Sequence, residues 1–316
     1  MTPTFRSIAV VGTGAVGGFF GAMLARAGHA VTLIARPAHV AAIERDGLRL
    51  QRAGRLESIR TAASSRIDAV RGADLVLFCV KSTDTAKVAR EMAPHLDDGA
   101  LVLSLQNGVE NAATIAREVR QTVVPAVVYV ATAMPEPGLV THHGRGDLVI
   151  GPLDAEAAND ATLAPRLQAL VDLFASAEVP VRVSADVMAE LWSKLMVNCA
   201  YNAISGLAQA SYGKLAALED VRALQETVVR EVVALAEAEG VELPLEPALE
   251  AMRRIAGAMP AQLSSTAQDM ARAKPSEIDH LNGFVARRGR ALGIATPANQ
   301  ALYALVKLVE SARNAA

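Results

Sequence analysis

Lys194, Asn198 and Asn202 recur at intervals of four residues inside an apolar stretch. On an α-helix that spacing places all three on one face. Their neighbours are Leu191, Trp192, Leu195, Met196, Val197, Ala200 and Ile204, so polar side chains among them are costly unless paired. A solvated helix face is the plain alternative. Asparagine is a mediocre helix former, and two in register with a lysine are read as selected for hydrogen bonding. A protonated lysine beside a substrate carbonyl can give its oxygen a proton or hydrogen bond as hydride arrives at carbon.

A hydride source is suggested near the other end of the chain. Gly12-Thr13-Gly14-Ala15-Val16-Gly17 follows the apolar run Ile8–Val11 and opens an apolar-periodic stretch. Strand, G-x-G-x-x-G, then helix is the dinucleotide-binding arrangement. Gly12 serves the tight turn, Gly14 the approach of a pyrophosphate, and Gly17 close helix packing, while the helix N-terminus offers N–H groups to phosphate. A tight turn without a ligand is the bland alternative. The second apolar run, Ala30–Ala35, ends in Arg36, with no acid before Glu44. A carboxylate there would accept from a ribose diol, whereas a guanidinium suits a 2′-phosphate. The expected cofactor is therefore NADP(H), and the competing reading is a solvated arginine at a helix start. Two further apolar runs end in Val80-Lys81-Ser82 and Gln106-Asn107-Gly108. Lys81 and Asn107 should lie at the carboxyl ends of strands, where such sheets bind ligands, unless they are a solvated lysine and a plain turn.

The elements that must position these residues follow from the pattern. Short apolar runs alternating with helical patterns predict an α/β fold with a Rossmann-type, NADP-binding domain over 1–184. A hairpin is expected at Leu48–Ile59 around Ala53-Gly54, and buried strands at 74–80 and 100–105. The run 123–133 carries Pro125, which predicts an irregular start or an edge position. Gly138–His143 and Asp147–Gly151 read as a hairpin joined by Gly144-Arg145-Gly146, and 179–183 as the last strand. From 185 to 316 the pattern is all-helical, with helices at 187–208, 215–239, 247–259, 264–273, 276–292 and 297–316. Ser264 or Ser265 could cap one helix, and Glu277 could sit in the first turn of another. The expected substrate and catalytic domain is this helical one, with a cleft between domains as the default small-molecule site.

Net charge is −2 with no block of like charges, which argues against nucleic acid or an anionic membrane as partner. No apolar run reaches membrane-spanning length. The six histidines show no ligand spacing, and no metal is expected. Cys79 and Cys199 lie far apart in apolar contexts, which predicts free thiols in a reducing compartment. With no room for a signal peptide before the first strand, the expected location is cytoplasmic. The apolar content of the helical domain would allow a homodimer.

With these pieces in order, the chain resembles the ketopantoate reductase (2-dehydropantoate 2-reductase) family over essentially its whole length. The resemblance rests on Gly12-x-Gly14-x-x-Gly17, Val80-Lys81, Gln106-Asn107-Gly108, Lys194-x3-Asn198-x3-Asn202, and Ser265 followed by Glu277-Ile278-Asp279-x-x-Asn282-Gly283. It implies NADPH-dependent reduction of a 2-keto acid to a 2-hydroxy acid, ketopantoate to pantoate on the route to pantothenate. It also implies roles. Lys194 would be the general acid, and Glu277 would position substrate and the lysine ammonium. Asn198, Asn202 and Ser265 would bind substrate. Lys81 and Asn107 would line the cofactor side, and Arg36 would take the 2′-phosphate. Two positions depart from the family pattern: Thr266 stands where methionine is frequent, and Tyr212 where asparagine is common before Gly213. These leave the chemistry intact and put substrate identity in question. The competing readings are a β-hydroxyacid dehydrogenase, which shares a Lys-x3-Asn helix, and a non-catalytic NADP(H)-sensing regulator.

Overall fold

A computed structural model of the chain describes residues 5–314 and divides into two compact units, Met1–Val187 and Met188–Ala316. Among the described residues, no helix is long and apolar enough to cross a membrane.

Among the described residues, the first unit is built on ten strands. Its opening elements are β1 (Ser7–Val11), α1 (Ala15–Arg26), β2 (Ala30–Ile34), α2 (Pro37–Asp46), β3 (Leu48–Arg52), β4 (Arg55–Ile59) and β5 (Ala62–Ser64). β6 (Leu75–Phe78), α3 (Thr85–Met92), β7 (Leu101–Ser104), α4 (Asn111–Glu118), β8 (Thr122–Glu136) and β9 (Leu139–Ile150) follow. α5 (Ala155–Asn159), α6 (Leu163–Ser176) and β10 (Val181–Val183) complete it. β5-β2-β1-β6-β7-β8 is a parallel run, the doubly wound order in which the chain winds outward one way from β1 and then the other. The switch point falls between β1 and β6. β6 and β7 are buried throughout, as strands covered on both faces must be, and one apolar core lies on each side of them.

The expected β3–β4 hairpin forms, with Ala53 and Gly54 at its tip in left-handed backbone. Two expectations fail. Pro125 is not at an edge: β8 lies between β7 and β9. Its missing N–H is tolerated because residues 122–125 pair with β7 while pairing with β9 begins at Ala126, so the proline marks a change of partner. The hairpin around Gly144-Arg145-Gly146 does not exist either. β9 runs through it as one strand antiparallel to β8, and the register shifts by one residue on each side of the Val130–Arg145 and Ala131–Gly144 pairs. Arg145 adopts φ 55°, so what resembles turn chemistry is a pair of bulges.

The second unit is helical: α7 (Val187–Ala208), α8 (Tyr212–Ala216), α9 (Glu219–Ala238), α10 (Leu245–Ala258), α11 (Ser265–Ala271), α12 (Asn282–Leu292) and α13 (Pro297–Asn314). The helix expected over 215–239 is two. Leu218 adopts extended backbone, and Glu219 and Asp220 start α9 with the negative charge a helix N-terminus favours. The helix expected over 276–292 also breaks: Ile278–His280 form a 3-10 turn, Leu281 leaves helical geometry, and α12 begins at Asn282. The helix expected to Ala316 is α13, and residues 315–316 lie outside the described residues. Trp192 of α7 meets Phe284 of α12 edge-on, ring centroids 5.7 Å apart, inside a core that includes Leu195, Met196, Val232 and Val306.

Candidate active site

The glycine turn lies at the switch point. Gly12 has φ 92°, and a Cβ on it would stand 2.6 Å from the Val80 nitrogen after β6, so the residue must be glycine. The N–H groups of Gly12 and Thr13 donate to the Ile34 carbonyl at 3.0 and 3.2 Å, and the Thr13 hydroxyl donates to the same oxygen at 3.2 Å. This stitches the turn to the end of β2. Gly17 brings α1 flush against the turn, where a Cβ would meet the Gly12 oxygen at 2.5 Å. Gly14 differs. It is exposed, its backbone is one any residue adopts (φ −86°), and a Cβ there would meet nothing within 4 Å. It N-caps α1 with no side-chain hydrogen bond, and the first turn, Ala15 and Val16 included, carries no acid. The N–H groups of that turn lack intrahelical acceptors, and the open space beside Gly14 leaves room for a pyrophosphate.

Arg36 is exposed at the end of β2, where it N-caps α2. Lys81 is exposed at the end of β6, across β1 from Arg36. Asn107 is half-buried after β7. A buried polar network joins the last two strand ends. Asn111 Nδ2 donates to Ser82 Oγ at 3.0 Å and to the Asn107 carbonyl at 2.5 Å. Thr85 Oγ1 donates to Asn111 Oδ1 at 2.8 Å, and Gln106 Nε2 donates to Thr85 Oγ1 at 2.7 Å and to the Val80 carbonyl at 2.9 Å. Every member is partnered, so the network rigidifies the loops that carry Lys81 and Asn107. Sequence reasoning missed Thr85 and Asn111. Their signal was weak: each reads as an ordinary helix-start residue.

On α7 the three-residue face forms as expected. Lys194 and Asn198 are half-buried and Asn202 is buried. Asn202 Nδ2 donates to Ser265 Oγ at 3.4 Å, and Tyr212 Oη donates to Asn202 Oδ1 at 3.5 Å. Burial pushes the Tyr212 phenol up, and nearby Tyr201 adds to this, so Tyr212 stays a donor. Of the two candidate caps, Ser264 is the one used: its hydroxyl accepts from the Ala267 N–H at 3.0 Å and donates to the Asn202 carbonyl at 3.2 Å. Ser265 is thereby left at the rim, exposed and facing the Asn202 amide. Thr266, the other departure from the family pattern, is buried, with its methyl 2.8 Å from where a Cβ on Gly206 would stand.

Glu277 is half-buried at the start of the 3-10 turn, not in a helix's first turn. Asn282 ties this segment to α7: its Nδ2 donates to the Cys199 carbonyl at 3.1 Å and to Asn299 Oδ1 at 2.9 Å. Asn299 Nδ2 donates in turn to Glu231 at 2.8 Å, which sets the orientation of both amides. Within this unit the fold thus joins Asn202 to Ser265 and anchors Asn282, five residues after Glu277, to the backbone of the residue after Asn198. Among the described residues, no three His, Cys, Asp or Glu side chains are grouped to hold a metal.

Comparison with known proteins places the chain in a family. Residues 8–155 match the family model described as Ketopantoate reductase PanE/ApbA, and residues 186–310 match its C-terminal counterpart. A 2-dehydropantoate 2-reductase of Halobacterium salinarum is 36% identical, over 96% of this chain and 98% of that protein. One from Vibrio cholerae is 31% identical, over 96% and 98%. The crystal structure of a PanE/ApbA family ketopantoate reductase from Ralstonia eutropha JMP134 superposes with a TM-score of 0.89 at 55% identity, covering 98% of this chain and 99% of that one. A D-mandelate dehydrogenase solved with NADH and anilino(oxo)acetate shares the fold at TM-score 0.90 and 24% identity, over 98% and 99% of the two chains.

Proposed function

For this chain, which belongs to the ketopantoate reductase family, we propose NADPH-dependent reduction of a 2-keto acid to its 2-hydroxy acid, with 2-dehydropantoate as substrate and pantothenate biosynthesis as the setting. The α7 face carries the reading: a lysine and two asparagines on one side of a helix otherwise committed to the core, with the Ser265 hydroxyl of α11 against Asn202. The family match favours neither a β-hydroxyacid dehydrogenase nor an NADP(H)-sensing regulator.

The Gly12–Gly17 turn and the first turn of α1 would hold the pyrophosphate, Arg36 the 2′-phosphate, and Lys81 and Asn107 the cofactor side of the substrate. Bound NADPH supplies the hydride. As the keto carbon accepts it, negative charge grows on the keto oxygen. Protonated Lys194 stabilises that charge and then transfers its proton to the oxygen. Glu277 favours the ammonium form of Lys194 against desolvation, because a nearby carboxylate favours the charged state. Asn198 and Asn202 orient the substrate's oxygens, and Ser265 donates to its carboxylate. Fixed partners of this kind convert binding into alignment.

The same reading places the enzyme in the cytoplasm. Its two cysteines are free, and burial pushes both thiols up, as suits thiols kept for packing. A homodimer is the assembly to test first, since Leu305 and Leu308 of α13 are exposed. Initial rates decide the function, measured with NADPH and NADH against 2-dehydropantoate and bulkier 2-keto acids, and with NADP+ and NAD+ against 3-hydroxy acids. The expected result is NADPH oxidation with 2-dehydropantoate. Turnover of 3-hydroxy acids alone, or NADPH binding without any turnover, overturns the proposal.

A further inference from the structure

Glu277 sits between two residues that α13 holds by its own side chains. On one side, Ser276 is 3% exposed, and both its N–H (2.9 Å) and its hydroxyl (2.6 Å) donate to Oε1 of Glu310. On the other side, Asp279 accepts from Tyr303 Oη at 2.7 Å and from Lys307 Nζ at 2.9 Å. Lys307 also reaches Glu310 Oε2 at 3.3 Å, so the two anchors are one network. The chain geometry between the anchors is irregular. Glu277 is outside helical backbone (φ −93°, ψ 23°), and the turn that follows it is only three residues long. A short 3-10 turn has too few hydrogen bonds to hold its own shape, so its position comes from outside. Gly283 completes the seat: a Cβ there would stand 2.8 Å from the Tyr303 ring and 3.0 Å from the Ile278 carbonyl. The Glu277-Ile278-Asp279-x-x-Asn282-Gly283 motif therefore reads as one reactive carboxylate and three residues that fix where it sits.

We infer that Glu310, Lys307 and Tyr303 of α13 are positioning residues for Glu277, a splint that holds the 276–279 segment at both ends. The inference rests on the role proposed above for Glu277. None of the three touches substrate in this account. Each acts by limiting where the Glu277 backbone can be, and a displacement of about 1 Å at a group that orients reactants can lower the rate by about a hundredfold.

The test compares 2-keto acid reduction by wild type, Glu277→Gln, Glu310→Ala, Glu310→Gln and the Glu277→Gln/Glu310→Ala double variant, with NADPH affinity and thermal unfolding measured on each. Wild-type turnover and its loss in Glu277→Gln come first. Absence of wild-type turnover overturns the proposed function; turnover that survives in Glu277→Gln overturns the role of Glu277 and, with it, the splint. Given both, Glu310→Ala is expected to lower kcat/KM about tenfold with NADPH affinity unchanged, the scale of losing hydrogen bonds to a charged group. Glu310→Gln, which keeps an acceptor oxygen for Ser276, should recover to within about threefold of wild type. In the Glu277→Gln background the Glu310→Ala loss should vanish, because residues acting through one another are not additive. A merely structural role predicts additive losses, and that result overturns the inference, as does kcat/KM for Glu310→Ala within about twofold of wild type. Should Glu310→Ala fail to fold, Tyr303→Phe removes one hydroxyl from the opposite anchor. A loss of about threefold or more that disappears in Glu277→Gln supports the splint, and an unchanged kcat/KM refutes it.

Discussion

Gly14→Ala separates a residue kept for the ligand from residues kept for the fold. The Gly14 backbone, φ −86° and ψ −157°, is open to alanine, and the new methyl would meet nothing within 4 Å. The folded protein should accept it, and the unfolded chain loses freedom, a gain of about 0.4–1 kcal/mol. Melting should therefore be unchanged or a few degrees higher, at about 2–4 °C per kcal/mol for a unit of this size. NADPH binding should move the other way. A methyl in the space that the pyrophosphate needs costs about 1–3 kcal/mol as overpacking, or about 5- to 150-fold in Kd. Fluorescence titration with NADPH and a thermal scan on the same preparation read both quantities. Gly12→Ala is the contrast: its Cβ would stand 2.6 Å from Val80 N and 2.8 Å from Cys79 C at φ 92°, so stability and binding should fall together. A Gly14→Ala protein that melts normally and binds NADPH within about twofold of wild type refutes the reasoning.

Three further outcomes follow from the same geometry. Lys194→Ala should lower kcat by about 10²- to 10⁴-fold, the range for a general acid, while NADPH affinity survives; near-normal kcat removes Lys194 from that role. Arg36→Ala should weaken NADPH far more than NADH in paired titrations, and equal losses would sink the 2′-phosphate assignment. Burial raises the Asp279 carboxyl, but hydrogen bonds from Tyr303 and Lys307, with the charges of Lys307 and Arg287, outweigh it and hold it below its ordinary value. Its stabilising contribution is complete above the unfolded aspartate value of about 3.9 and is lost as pH falls through the lower folded value. Thermal unfolding against pH should show an acid drop that Asp279→Asn flattens, and an identical drop in that variant removes Asp279 from the account.

The parts of the site that depend on spacing along one element were legible in the sequence. The α7 face follows from a four-residue interval, and the glycine turn from its place between an apolar run and a periodic one. Parts that depend on partners distant in sequence were not. Asn111 and Thr85 are unremarkable until β6 and β7 stand side by side and bring Ser82 to Asn107. Glu310 lies 33 residues beyond Glu277 on a helix whose pattern shows only which face is apolar. Local signals also misled where a partner strand overrules them. Gly144-Arg145-Gly146 has the composition of a turn, yet pairing with β8 carries β9 straight through it as bulges. Pro125 has the chemistry of an edge residue, and it sits inside the sheet because β8 exchanges partners there. The break at Leu218 had no glycine or proline to announce it.

The parallel pairing of β3 with β9 has a consequence for synthesis of the chain. Arg49 pairs with Leu139, so the outer side of the β3–β4 hairpin waits about 90 residues for its neighbour, roughly 5–20 s at ribosomal rates. During that interval Leu48 and Leu50, fully buried in the finished protein, have β4 on one side and no strand on the other, and β3 offers an open edge to any passing chain. Ribosome-bound chains halted before Leu139 should be cut rapidly by trypsin at Arg52 or Arg55, and those halted well beyond Ile150 slowly. Equal cutting at both lengths would mean that the hairpin is sheltered by something other than β9.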